Sequence, residues 1–151
     1  MGVEAASTAP FRFVLDDATR ILAVDDDPIQ LEFAAAYLST PTASVETAES
    51  AEIGLEKLKS APFDLLLLDL QMPGMDGFEM IRRIRAEPGF ASLPIVVVTG
   101  LEDVVNIDEA YDAGASSFVT KPVNWRLLSY HLRFVLRTNR QARERLKGKA
   151  P

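Results

Sequence analysis

FDLLLLDLQMPGMDG, residues 63–77, is the stretch from which the fold can be read. Leu65, Leu66, Leu67 and Leu68 form an apolar run with no alternation, the pattern of a strand covered on both faces of a parallel sheet. The run ends on the carboxylate of Asp69 and then breaks at Pro73, Gly74 and Gly77, which stop both strand and helix. Ligands of open parallel sheets collect beyond the strand ends, which places Asp69 at the mouth of a site. The same carboxylate is equally able to cap a turn; the rest of the chain must choose.

Working outward on the amino-terminal side, Ile21 to Val24 reads as a short buried strand that runs into Asp25, Asp26 and Asp27. Pro28 follows at once, and Asp before a first-turn Pro marks a helix start, with Asp27 as N-cap of a helix to about Leu38. Asp25 and Asp26 are left without a capping role, and adjacent carboxylates repel unless a cation offsets them. A solvated acidic turn is the plain alternative. Val45 begins a second strand, and Ala51, Leu55 and Leu58 mark the next helix, closed by Ser60-Ala61-Pro62. Residues 1–19 carry no motif, although Phe11, Phe13, Val14 and Leu15 are available to dock on the domain; they are expected to form an extension of uncertain order.

On the other side, Asp76 and Glu79 have the spacing of a capping box, and Phe78, Ile81, Ile84 and Arg85 carry a helix to Pro88-Gly89. Ile95 to Val98 is a fourth strand ending on Thr99-Gly100. A helix from about Asp103 to Ala113 stops at Gly114, and a fifth strand, Ser116 to Thr120, runs into Lys121-Pro122. Five strands alternating with five helices predict a doubly wound α/β sheet. All strand ends of a parallel sheet open on one edge, so Asp25, Asp26, Asp69, Thr99 and Lys121 are expected together.

Composition sets limits. The 151 residues are 48% hydrophobic and 25% charged, enough for one domain with a full core. There is no apolar run of membrane-span length and no signal-peptide pattern, so the expectation is a cytoplasmic protein without a membrane partner. The absence of cysteine removes disulfides and thiolate chemistry. A net charge of −6 argues against direct nucleic-acid binding by the whole domain.

Clustered acids without Cys or nearby His suit magnesium better than zinc. Lys121 then supplies a second positive charge and Thr99 a hydroxyl for an anion, most simply a phosphoryl group, with Asp69 as nucleophile.

VDDDP at 24–28, LLLDLQMPGMDG at 66–77, VVTG at 97–100 and FVTKP at 118–122, in this order and spacing, resemble the receiver domains of two-component response regulators over roughly residues 20–140. The resemblance implies a flavodoxin-like sheet of order 2-1-3-4-5 and an Asp69 that takes a phosphoryl group from the phosphohistidine of a sensor histidine kinase or phosphotransfer protein. It implies Mg2+ held by Asp26, Asp69 and the backbone carbonyl of Gln71, with Asp25 acting largely through water. Thr99 and Lys121 would hold phosphoryl oxygens, and Phe118, where tyrosine is common, would be the aromatic switch. Gln71 and Leu101 resemble the positions that modulate dephosphorylation, a bulky Leu101 slowing it. Lys121-Pro122 resembles the family's cis peptide. The domain is not an enzyme on other substrates in this reading; its chemistry is its own phosphorylation and dephosphorylation.

The last helix, from Asn124 to about Lys147, carries two apolar arcs. Trp125, Leu128, Leu132, Val135 and Leu136 suit the sheet, while Leu127, Tyr130 and Phe134 suit a partner on the face made by helix 4, strand 5 and helix 5. Arg126, Arg133, Arg137 and Arg140 form a basic stripe, and a homodimer pairing Arg126, Arg133 and Arg137 with Asp103, Asp108 and Asp112 is the expectation, against a solvated charged face. Residues 141–151 are a helical basic tail. His131, the only histidine, is expected to border the apolar arc, with a phosphorelay donor as the weaker reading. Segment 124–146 also resembles the connector to cyclic-di-GMP modules of the GGDEF type, so a fragment of a longer regulator is the alternative. A haloacid-dehalogenase phosphatase would need an acid where Gln71 stands, and a pseudo-receiver usually lacks part of the acid and lysine set.

Overall fold

A computed structural model describes residues 12–148. Thr19–Val24 (β1), Ala43–Ala48 (β2), Leu65–Leu68 (β3), Ile95–Thr99 (β4) and Ser117–Thr120 (β5) form one sheet. The order is β2-β1-β3-β4-β5 and every pairing is parallel. The connecting helices are Pro28–Leu38 (α1), Ala51–Ser60 (α2), Gly77–Ala86 (α3), Val104–Ala113 (α4) and Trp125–Gly148 (α5), with a 3-10 turn at Pro88–Phe90. The doubly wound, flavodoxin-like architecture read from the sequence is the one found, with five strands, five helices and the last helix extended.

The unbroken leucine run is explained by two core layers. Leu66 and Leu68 join Leu22, Val24, Ile95 and Val97 on one face, under Met80, Ile81 and Ile84 of α3. Leu65 and Leu67 join Ile21, Ala23, Val96 and Val98 on the other, under Leu31, Ala34 and Leu38 of α1 and Leu128, Leu132 and Leu136 of α5. Successive side chains point to opposite faces, so a strand with helices on both sides needs apolar residues at every position.

β1, β2 and β5 depart from the expected boundaries. Thr19, two residues before the expected start of β1, pairs with Ala43, and β2 begins there rather than at Val45. Ser44 is exposed, which is tolerated because β2 is an edge strand with little apolar signal. Ser116 lies outside β5, although it still touches the neighbouring strand: its N donates to Ile95 O at 2.8 Å and its Oγ accepts from Ile95 N at 3.0 Å.

Helix starts follow local chemistry. Asp27 Oδ1 accepts from Ile29 N at 2.9 Å, and Asp76 Oδ1 accepts from Glu79 N at 3.0 Å. The capping box is only half made, since Glu79 turns to Arg83 at 3.1 Å. Two expectations at the chain ends acquire detail. Val14 and Leu15 are both buried at 4% exposure, worth about 1.5–3 kcal/mol each, so residues 12–18 are docked; Phe11 lies outside the described residues. At the other end α5 runs unbroken across residue 140 to Gly148, with no structural step where the tail was drawn.

Candidate functional site

The sheet delivers the strand-end groups by extending its ladders one step. Asp25 N donates to Ala48 O at 3.2 Å, Asp69 N to Val24 O at 3.0 Å, and Lys121 N to Thr99 O at 2.8 Å. These bonds hold the backbone at the point where the side chains leave the sheet, so the carboxylates and the ammonium are placed by regular structure rather than by a loop. Asp25 is 8% exposed and Asp69 6%, whereas Asp26 is exposed. One carboxylate oxygen from each of the three lies within 4.8 Å of the others.

Every inner carboxylate has a partner. Lys121 Nζ donates to Asp25 Oδ2 at 2.8 Å and to Asp69 Oδ2 at 3.4 Å. Asp25 Oδ1 accepts from Asp27 N at 2.9 Å, and Asp69 Oδ1 accepts from Gln71 N at 3.4 Å. Burial pushes the Asp25 carboxyl above its usual range, against the opposing pull of Lys121 and the Asp27 N–H. Burial alone would lower the Lys121 ammonium, but its bond to Asp25 and the charge of Asp69 outweigh it and the net direction is upward. One ammonium thus sits among three carboxylates, an excess of negative charge that a hard divalent cation would offset. Two inner acids, one outer acid and no nitrogen or sulfur donor suit such an ion.

Thr99 is fully buried, and its Oγ1 accepts from Leu101 N at 3.4 Å. Phe118 is half-buried, and Phe118 and Leu101 both pack on the core layer beneath α2, α3 and α4. The Lys121-Pro122 bond is cis. Gln71 leads the exposed loop that follows Asp69. Beneath the acids is a cavity of only about 30 Å³, lined by Asp25, Asp69, Leu68, Val98 and Trp125 among others; that volume suits a water or two and no organic substrate. Larger hollows are elsewhere, among them one of about 780 Å³ beside Leu58, Phe63 and Phe90, one of about 670 Å³ beside α4 with Asp108, Glu109 and Asp112 and one of about 560 Å³ between α1 and α5.

Some contacts were not anticipated. Glu52 Oε1 accepts from Met75 N at 3.1 Å and so holds the loop after Asp69 from the side of α2; a glutamate in a first helical turn looks like a dipole partner and nothing more. His131 Nε2 lies 2.6 Å from Ser117 Oγ, tying α5 to β5. The arginine stripe is engaged within the chain: Arg126 donates to Arg12 O at 3.0 Å, Arg137 lies 3.9 Å from Asp16, and Arg140 pairs with Asp17 at 2.9 Å.

A family model described as the response regulator receiver domain matches residues 21–133. The transcriptional regulatory protein AfsQ1 of Streptomyces coelicolor is 38% identical over 117 residues, 78% of this chain and 50% of that protein. The signal transduction histidine-protein kinase BarA of Escherichia coli K12 is 34% identical over 106 residues, 70% of this chain and 12% of that protein. This chain therefore spans half or less of the length of these relatives. The crystal structure of a CheY-like receiver domain protein from Methanospirillum hungatei superposes with a TM-score of 0.78 at 30% identity, covering 83% of this chain and 99% of that one. Since the match runs from β1 into α5 and the clustered acids stand where the strands end, the chain belongs to the response regulator receiver domain family, and Asp25, Asp26 and Asp69 form its phosphoacceptor site.

Proposed function

We propose that this receiver is a phosphorylation switch in which Asp69 takes a phosphoryl group from the phosphohistidine of a sensor kinase or phosphotransfer protein. An Asp69 oxygen attacks phosphorus, the N–P bond breaks, and its electron pair stays on the donor imidazole, leaving an acyl phosphate. Water later attacks phosphorus, and carboxylate and inorganic phosphate are released. Mg2+ is the cofactor in this reading: Asp26, Asp69 and the Gln71 carbonyl would hold it, with Asp25 acting largely through water, and it would supply positive charge to the phosphoryl group. In the same reading Lys121 supplies the second positive charge, moving from carboxylate to phosphoryl oxygen, and the Thr99 hydroxyl turns toward the same group. The observation that carries the reading is the Lys121 ammonium bridging Asp25 and Asp69 at 2.8 and 3.4 Å.

The test is a mass measurement after incubation with Mg2+ and a small phosphodonor. Wild type is expected to gain one phosphoryl group, and Asp69→Asn or chelation to abolish the gain. A gain that persists in Asp69→Asn, or no gain in wild type, overturns the reading. We assign Leu101 the role of slowing hydrolysis, so the acyl phosphate of Leu101→Ala should decay faster.

The same reading makes Phe118 the group that repacks when Thr99 moves, and puts partner or self association on α4, β5 and α5. Support comes from the apolar side chains exposed there, Leu127 and Phe134 at 67% and Val105 at 74%. In a homodimer pairing Arg126, Arg133 and Arg137 with Asp103, Asp108 and Asp112, Arg126 and Arg137 would have to leave Arg12 and Asp16, whereas Arg133 lies over the Tyr130 ring at 4.9 Å. Salt-sensitive dimerisation in sedimentation, strengthened by a phosphoryl mimic, is the expected result. Among the described residues no helix is long and apolar enough to cross a membrane, and we assign the switch to the cytoplasm.

A further inference from the structure

The last helix outruns its core. None of residues 137–146, which follow the buried Leu136, is buried, yet the helix continues to Gly148. A helical stretch of that length with no buried face is marginal by itself. Polar contacts on two sides take the place of a core. On one side Arg140 reaches Asp17 Oδ2 at 2.9 Å, Thr19 Oγ1 at 3.0 Å and Ala18 O at 3.1 Å, and Arg137 approaches Asp16 at 3.9 Å. On the other, Asn139 Nδ2 donates to Ser92 O at 2.8 Å in the turn before β4.

The acidic side of this clasp is itself fastened. Leu15 shares the core layer of Leu128, Leu132 and Leu136, its carbonyl accepts from Thr40 Oγ1 at 2.7 Å, and the Arg12 carbonyl accepts from Arg126. Residues 12–19 therefore run beside α5 as a strap whose Val14 and Leu15 are buried while its carboxylates and carbonyls take three guanidinium groups of one helical stripe. Acidic strap against basic helix is complementary in charge as well as in position.

We propose that residues 12–19 are an intramolecular ligand of α5, a latch that keeps the helix formed past Leu136 and sets the direction in which it leaves the domain. Any acidic partner that recruits Arg137 and Arg140 must displace the strap, so partner binding and helix order are opposed. The latch lies beside the start of β1, at the opposite end of the strands from Asp69, and its test does not depend on phosphoryl chemistry.

Hydrogen exchange of the full chain at low salt, read separately for residues 137–146 and for the sheet, tests the latch in Asp17→Lys, Arg140→Glu and the doubly exchanged variant. Each single variant is expected to raise exchange in 137–146 by about two- to fivefold, the range open to an exposed ion pair, with the sheet unchanged. The double exchange restores the pair in reverse and should return protection toward wild type. Unchanged exchange in the single variants, no rescue in the double variant, or a loss spread equally over the sheet would each overturn the proposal.

Discussion

Lys121 Nζ donates to Asp25 Oδ2 at 2.8 Å, nearer than the 3.4 Å to Asp69 Oδ2, so the ammonium neutralises Asp25 ahead of Asp69, the proposed phosphoacceptor. Carboxylates within 4.8 Å of one another repel by about 3.5 kcal/mol or more at an effective dielectric of about 20, before Lys121 offsets part of it. Burial raises Asp25 above its ordinary value. A raised folded-state value means that the stability from this group is full below the unfolded value and falls as pH rises through the folded one. Asp25→Asn should therefore stabilise the metal-free protein at pH 7, with the gain shrinking as pH falls through the Asp25 titration. Lys121 keeps Asp69 as partner in that variant. Denaturation midpoints in chelator at neutral and acidic pH decide the matter, and a variant less stable than wild type at pH 7 would contradict the argument.

Magnesium should act with the opposite sign on wild type. An ion bound only by the folded state adds about 2.7 kcal/mol at a hundred times its dissociation constant, so the thermal midpoint should climb with Mg2+ and fall back on chelation. Asp26→Asn removes the exposed ligand without touching the Lys121 bridge. Its metal-free midpoint should stay near wild type while most of the Mg2+ response disappears. An undiminished response would take Asp26 out of the ligand set.

The site was legible because its chemistry lies where strands stop. Leu65–Leu68 and Ile95–Val98 are apolar at every position, so their ends are sharp, and Asp69 and Thr99 stand at those ends. The edges were less legible. Ala43 and Ser44 carry little strand signal, and the sheet claims them through pairing with β1, while Ser116, expected in β5, falls outside it. Contacts set by tertiary approach left no trace in local sequence. Glu52 meets Met75 across 23 residues, Arg85 Nε meets Gly114 O across 29, and Arg140 meets Asp17 across 123. Each is an ordinary surface residue type at an ordinary helical position until the fold brings its acceptor or donor near.

Glu52 is where such an illegible contact bears on the site. Its carboxylate accepts from Met75 N, and a Cβ on Gly74, whose φ is +78°, would lie 3.4 Å from the same oxygen. The loop between Asp69 and α3 is thus tethered to α2. Glu52→Ala should lower stability by about 1 kcal/mol and weaken Mg2+ binding, because Gln71 lies in the tethered loop. Glu52→Gln keeps an acceptor oxygen and should recover most of both. Isothermal titration with Mg2+ beside denaturation midpoints separates the two effects; equal behaviour of the Ala and Gln variants would mean that charge, not the hydrogen bond, holds the loop.

Three glycines give a graded test of how tightly the frame is built. A Cβ on Gly77 would stand 2.5 Å from Asp69 O and 2.7 Å from Leu70 Cα, backbone atoms that cannot swing aside. Gly77→Ala should cost about 3 kcal/mol or more, and since the displaced atom belongs to Asp69, Mg2+ affinity should fall with it. Gly114 combines φ +122° with a Cβ position 2.6 Å from Arg85 Cγ, part of a flexible side chain. Its alanine variant should be destabilised through backbone strain and loss of the Arg85 bond to Gly114 O, with Mg2+ binding intact because the site is remote. Gly89 has nothing within 4 Å of a Cβ, so Gly89→Ala should change stability by no more than about 0.5 kcal/mol. Denaturation midpoints and Mg2+ titrations on all three variants check the order. If Gly77→Ala behaved like Gly89→Ala, α3 would not start against the backbone of the phosphoacceptor, and the route by which packing positions Asp69 would have to be sought on the β1 side alone.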